Sequence, residues 1–128
     1  MTKKEASIII NKDLNENRLK PFGNGNVKWA NKSKGIKNVY WINVHKDERL
    51  KNEFHFILND EDKQILTHLI IPPETFLKTK YPERLDKTND KMKIDIELSY
   101  DNFNYLKDIK SGGPKLNFLK YVSKTYNY

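Results

Sequence analysis

The chain has 128 residues, 37% apolar and 32% charged, with a formal net charge of +7. That length suffices for one domain, residues 1–128, with its own core, and the composition argues against wholesale disorder. The absence of cysteine excludes a disulfide scaffold, a thiolate metal site and a cysteine nucleophile.

The elements follow in chain order. Residues 6–10 fit a short strand or the first turn of a helix, and residues 12–20 an exposed helix or turn. This apolar run is too short for a signal-peptide core or a membrane span, so a cytoplasmic protein without a membrane partner is expected. Pro21, Gly23 and Gly25 among asparagines predict an irregular loop over 20–26. A short strand over 27–30 and a second loop over 31–35 follow. Strand patterns then dominate: 38–45, 53–58 (EFHFIL), 64–71 (QILTHLII) and 91–99 (KMKIDIELS), which alternates along its whole length. NDEDK and KDERLKN read as hairpin connections. Pro72 and Pro73 end a strand, and PETFLK offers a short helix. Residues 79–90 are polar and irregular.

In the last third, Asp101 is placed to cap a helix over 102–110 whose Phe103, Leu106 and Ile109 recur at helical spacing. Pro114 would open a final helix with Leu116, Leu119 and Val122 inward. The expected class is α+β: a mostly antiparallel curved sheet, a meander, with short helices mainly in the C-terminal third.

Charge is segregated along the chain. Residues 17–46 carry seven basic and no acidic side chains, 47–108 ten basic and fourteen acidic, and 109–128 four basic and none acidic. Such segregation can build a field that attracts anions. Part of the lysine usage, alongside Asn, Ile and Tyr, also follows from an AT-rich coding bias.

Within RLKPFGNGNVKWANKSKGIK, Arg18, Lys20, Lys28, Lys32, Lys34 and Lys37 would contact phosphates, and Phe22 and Trp29 would stack on exposed bases. Lys115, Lys120 and Lys124 extend the set on the final helix. The plainer alternative is a solvated loop and an amphipathic helix with its aromatics in the core. The GNG step lacks both the preceding strand and the following helix that a phosphate cradle needs.

Registering the central strands as one meander, with Phe54, Phe56 and Leu58 on the core face, puts His45, His55 and His68 together on the opposite face. Three imidazoles near Glu53 could ligate a metal or move protons in phosphodiester cleavage, although such coincidence also arises by chance. Asp95 and Glu97 share one face of a strand with Lys91 and Lys93 beside them, an arrangement metal-dependent nucleases use to hold a divalent ion, but a solvated face of mixed charge is the leading reading.

The leading expectation is a nucleic-acid-binding domain of bacterial or phage setting, DNA favoured over RNA, without cofactor or metal. The rivals are a small nuclease, metal-dependent or histidine-based, and an interaction module for an acidic protein partner. Enzymatic activity is the lesser expectation.

Overall fold

A computed structural model describes residues 1–35, 37–45 and 53–128, with Leu77 described by its backbone alone. The KDERLKN connection, 46–52, lies outside the described residues.

The chain opens on helix α1 (Lys3–Glu16). Thr2 starts it: its Oγ1 accepts the Glu5 N–H at 3.1 Å, the first half of a T-x-x-E capping pattern. Ala6, Ile10 and Leu14, four residues apart, form the buried stripe. The helix stops where Arg18 turns left-handed (φ 58°), with the Leu19 N–H returning to the Leu14 carbonyl at 2.8 Å.

Two sheets follow. Strands β1 (Val27–Asn31), β3 (Phe54–Asp60), β4 (Ile65–Ile71) and β7 (Val122–Asn127) form one, in the order β1-β3-β4-β7. β1 runs parallel to β3, and the other pairs are antiparallel. Strands β2 (Val39–His45), β5 (Arg84–Asp86) and β6 (Lys91–Ser99) form the other, antiparallel, in the order β2-β6-β5. A five-residue helix α2 (Glu74–Lys78) sits between β4 and β5. A bridge between Lys32 and Tyr40 joins the sheets on one side. On the other, Asp108 bridges Leu98 of β6 and Lys107 bridges Asn117, just before the chain enters β7.

The sheets enclose one core. Phe54, Phe56, Leu58, Leu69 and Ile71 from the first meet Tyr40, Ile42, Val44, Ile94, Ile96 and Leu98 from the second, with Phe76 and Phe118 filling between them. Each fully buried Phe, Leu or Ile stabilises the fold by about 1.5–3 kcal/mol. The outer face of the four-stranded sheet is covered by α1, whose stripe meets Phe22, Val27, Ile57 and Leu66.

The α+β class and mostly antiparallel pairing agree with the pattern of the sequence; the single meander does not. β2 pairs with β6 in the second sheet, Ile42 opposite Ile96. Its apolar side still enters the same core, from the opposite wall, so the periodicity of β2 is the same in either arrangement. The helices are not mainly C-terminal either, because the long one is α1. Residues Asn102–Asn104 and Leu119–Tyr121 make single 3₁₀ turns, and 122–127 are strand. Left-handed backbone at Leu106 and Lys115 (both φ 59°) interrupts the two helices that apolar spacing predicts there. Among the described residues, no helix is long and apolar enough to cross a membrane.

Candidate nucleic-acid interface

The histidines divide. His55 of β3 and His68 of β4 project from the α1 side of their sheet, because the register pairs Ile57 with His68 and His55 with Ile70. Their rings stack with centroids 5.1 Å apart, and His55 Nδ1 lies 2.8 Å from His68 Nε2. Glu53 Oε1 stands 3.5 Å from the other nitrogen, His55 Nε2. Both rings are buried and Phe22 packs on them, 4.7 Å from the His55 ring. Burial drives both away from the charged form: His55 is lowered, and His68 falls to about 4, aided by the neighbouring His55. The neutral pair packs beneath Phe22, a contact between the sheet and the loop at 20–26.

His45 is in the other sheet, its Nε2 3.1 Å from Asp86 Oδ2. The expected cluster of three imidazoles therefore does not form, because β2 and β3 belong to different sheets.

Asp95 and Glu97 do share the outer face of β6, and each already has a cation. Arg84 grips Asp95 through Nε and Nη2, and Lys37 Nζ reaches both Glu97 oxygens at 3.0 and 3.1 Å. Among the described residues no three carboxylate, histidine or cysteine groups converge on a point that could hold a metal ion.

The basic set is dispersed by folding. Lys32 pairs with Asp60 at 2.8 Å, Lys37 with Glu97, and Lys124 with Asp13 at 2.9 Å. Lys115 donates to the carbonyls of Ile109 and Lys110, and Lys120 stands 5.2 Å from the Tyr121 ring centroid. Phe22 is buried, and half-buried Trp29 packs against the α1 core, so neither is the open stacking platform expected of it. Lys28 is half-buried on β1. Arg18, Lys20 and Lys34 are exposed. The two acid-free segments do not pair, since β1 and β7 are opposite edges of one sheet, about 14 Å apart at three strand spacings. Acid-free in sequence is not acid-free in space.

What the fold brings together instead is the N-terminal helix and the glycine-containing loop. The Asn11 side chain accepts the Phe22 N–H and donates to the Phe22 carbonyl, both at 3.0 Å, holding the loop alongside α1. Between them runs an open groove of about 1010 Å³. Lys3, Lys4 and Lys12 line it with Asn15 and Asn24, against one carboxylate, Glu16. Asp13, which would have opposed them, is turned to β7: Lys124 and the Tyr126 hydroxyl both donate to it and hold its carboxyl below the usual range. Sequence reading passes over these lysines because residues 1–16 balance three bases with three acids. A helical projection would have found the signal, since Lys4, Ile8, Asn11 and Asn15 recur on one face.

No family model, curated protein or solved structure matches this chain.

Proposed function

We propose that this protein binds nucleic acid, with DNA the favoured polymer, through phosphate contacts along the groove between α1 and the loop at 21–26. The observation that carries the reading is the lining: three lysines and three asparagines, of which Asn11 is already bonded to Phe22, face one carboxylate. Arg18 and Lys20 are exposed just past the C-terminal end of α1 and offer further cations to the same polymer. Amides and ammonium groups supply donors for phosphate oxygens without reading sequence.

Fluorescence anisotropy with labelled double- and single-stranded DNA and RNA at low salt tests this. Three to five phosphate contacts on duplex DNA give a slope of log K against log salt of about −2.7 to −4.5. Replacing Lys3, Lys4 and Lys12 together by Gln should flatten that slope by about 3 and weaken binding to every sequence alike. Undetectable binding at low salt, or an unchanged slope in the triple variant, overturns the reading. Equal binding of poly-glutamate at matched charge would reassign the groove to an acidic protein partner.

A further inference from the structure

At the end of the sheets, the turn joining β3 to β4, the loop at 31–35 and the 3₁₀ turn at Asn102–Asn104 enclose two adjoining cavities of about 210 and 360 Å³. Lys32 and Tyr100 line both. The smaller has tyrosine walls. Tyr40 and Tyr100 meet edge to face with centroids 5.7 Å apart, and Tyr105, 37% exposed, completes the enclosure. Asp60 and Thr67 also line it, both buried. The Tyr40 phenol, pushed up by burial, stays protonated and can donate. Burial pushes Asp60 up as well, but the Lys32 ammonium at 2.8 Å and the Lys63 N–H at 3.1 Å hold it below the usual range, so it accepts.

Three features select the occupant. Lys32 Nζ already stands 4.7 Å from the Tyr100 ring centroid, so that face is closed to an incoming cation. The lysines of the two cavities, Lys32, Lys34 and Lys63, are matched by Asp60, Glu61 and Asp62, so no net field draws a phosphate. A volume of 210 Å³ is below the roughly 300–1,000 Å³ of sites for drug-sized ligands, and holds a single ring system. Uncharged, flat, and bearing donors and acceptors on its edge, a nucleobase meets all three.

We propose that this cleft binds one nucleobase, stacked on Tyr105 with its polar edge toward Tyr40, Thr67 and Asp60. Phe103, 93% exposed on the adjoining turn, offers a platform for a second base. That turn is fastened: Asp101 accepts the Phe103 N–H at 3.4 Å, and the Lys107 N–H meets the Asn104 carbonyl at 2.9 Å. Base–aromatic stacking of this kind is sequence-tolerant and belongs to unpaired strands. The cleft is separate from the α1 groove, so either site can stand without the other.

Uncharged nucleosides isolate the prediction from phosphate attraction. In ¹H–¹⁵N spectra, adenosine and cytidine at about 10 mM, suited to the weak affinity of a small ligand, should shift residues 31–34, 60–67 and 100–105. Inorganic phosphate should not. Tyr105→Ala should weaken nucleoside binding about fivefold or more. Tyr105→Phe should retain it, and circular dichroism should show both variants folded. No shift with either nucleoside, equal shifts with phosphate, or binding unchanged in Tyr105→Ala overturns the proposal. Loss of polymer binding in the triple lysine variant with nucleoside shifts intact separates failure at the groove from failure at the cleft.

Discussion

His55 and His68 share one hydrogen bond, 2.8 Å between Nδ1 and Nε2, buried beneath Phe22. If His55 Nε2–H donates to Glu53, His55 Nδ1 must accept from His68 Nε2–H, leaving His68 Nδ1 as a buried lone pair. That nitrogen has no partner among the described residues. A further proton on that nitrogen would place a charge in a buried site that offers it no acceptor.

Acid should therefore loosen the contact between the sheet and Phe22, the residue that Asn11 ties to α1. His68 titrates at about 4 when folded against an ordinary 6.5, so below 6.5 the unfolded chain binds the proton and the folded one does not. Stability from this group is complete above pH 6.5 and is lost as pH falls toward about 4. At 1.36 kcal/mol per unit the full loss is about 3 kcal/mol. From α1 Asp13 favours protonation of His68, while Lys124 lies opposite His68 on β7 and Glu53 favours the charged form of His55. Urea midpoints between pH 7 and 4.5 should fall steeply in the wild type and shallowly in His68→Gln. Parallel curves would show that the pair does not govern the acid limb.

Asp13 fastens α1 to β7 through Lys124 Nζ and the Tyr126 hydroxyl, both at 2.9 Å. Asp13→Asn should raise amide hydrogen exchange along Lys3–Glu16 more than in β3 or β6, because only the helix loses its charged anchor. Uniform acceleration across the protein would instead mark a global loss of stability.

Asp108 is wholly buried, and its Oδ1 accepts the backbone N–H groups of Glu97 and Lys110 at 3.1 and 3.0 Å. Its Oδ2 has no partner among the described residues, and burial raises its pKa. A raised folded pKa means that the folded state holds the proton longer, so stability falls as pH rises above the ordinary 3.8. Asp108→Asn keeps the acceptor and removes the buried charge. It should match or exceed the wild type at pH 7, with its advantage shrinking toward pH 4. Asp108→Ala strands two donors and should cost about 1–3 kcal/mol by denaturant unfolding.

The lysines themselves should separate by partner. Lys32 and Lys37 hold Asp60 and Glu97, whereas Lys3, Lys4 and Lys12 line the groove. Replacing the first two by Gln should lower the thermal midpoint and leave the salt slope of DNA binding unchanged. Replacing the other three should do the reverse. An identical effect of both sets on binding would point to net charge alone.

The residues of β6 were legible one by one, because strict alternation over Lys91–Ser99 has no competing helical reading. The β3–β4 hairpin and the shared face of His55 and His68 followed from the same logic. The partner of β2 was not legible: its alternate apolar side chains satisfy either wall of the core, and sequential strands are the default neighbours. The three-residue spacing of Leu116, Leu119 and Val122 fits a helix equally with a turn running into a strand, and only the left-handed Lys115 decides against the helix. The basic segments misled for a further reason. Charge counted along the chain ignores which carboxylate folds against which lysine, and Asp60, Glu97 and Asp13 come from outside those segments.

The parallel pairing of β1 with β3 and the closure of the same sheet by β7 also set the order in which the molecule can assemble. Among the described residues the β3–β4 and β5–β6 hairpins form from neighbouring residues; Val27 meets His55 across an intervening strand, and Asp13 meets Lys124 from 111 residues away. Chain entropy must be surrendered over long loops before those contacts reward it, so this small protein should fold in milliseconds to seconds, with α1 the last element to lock.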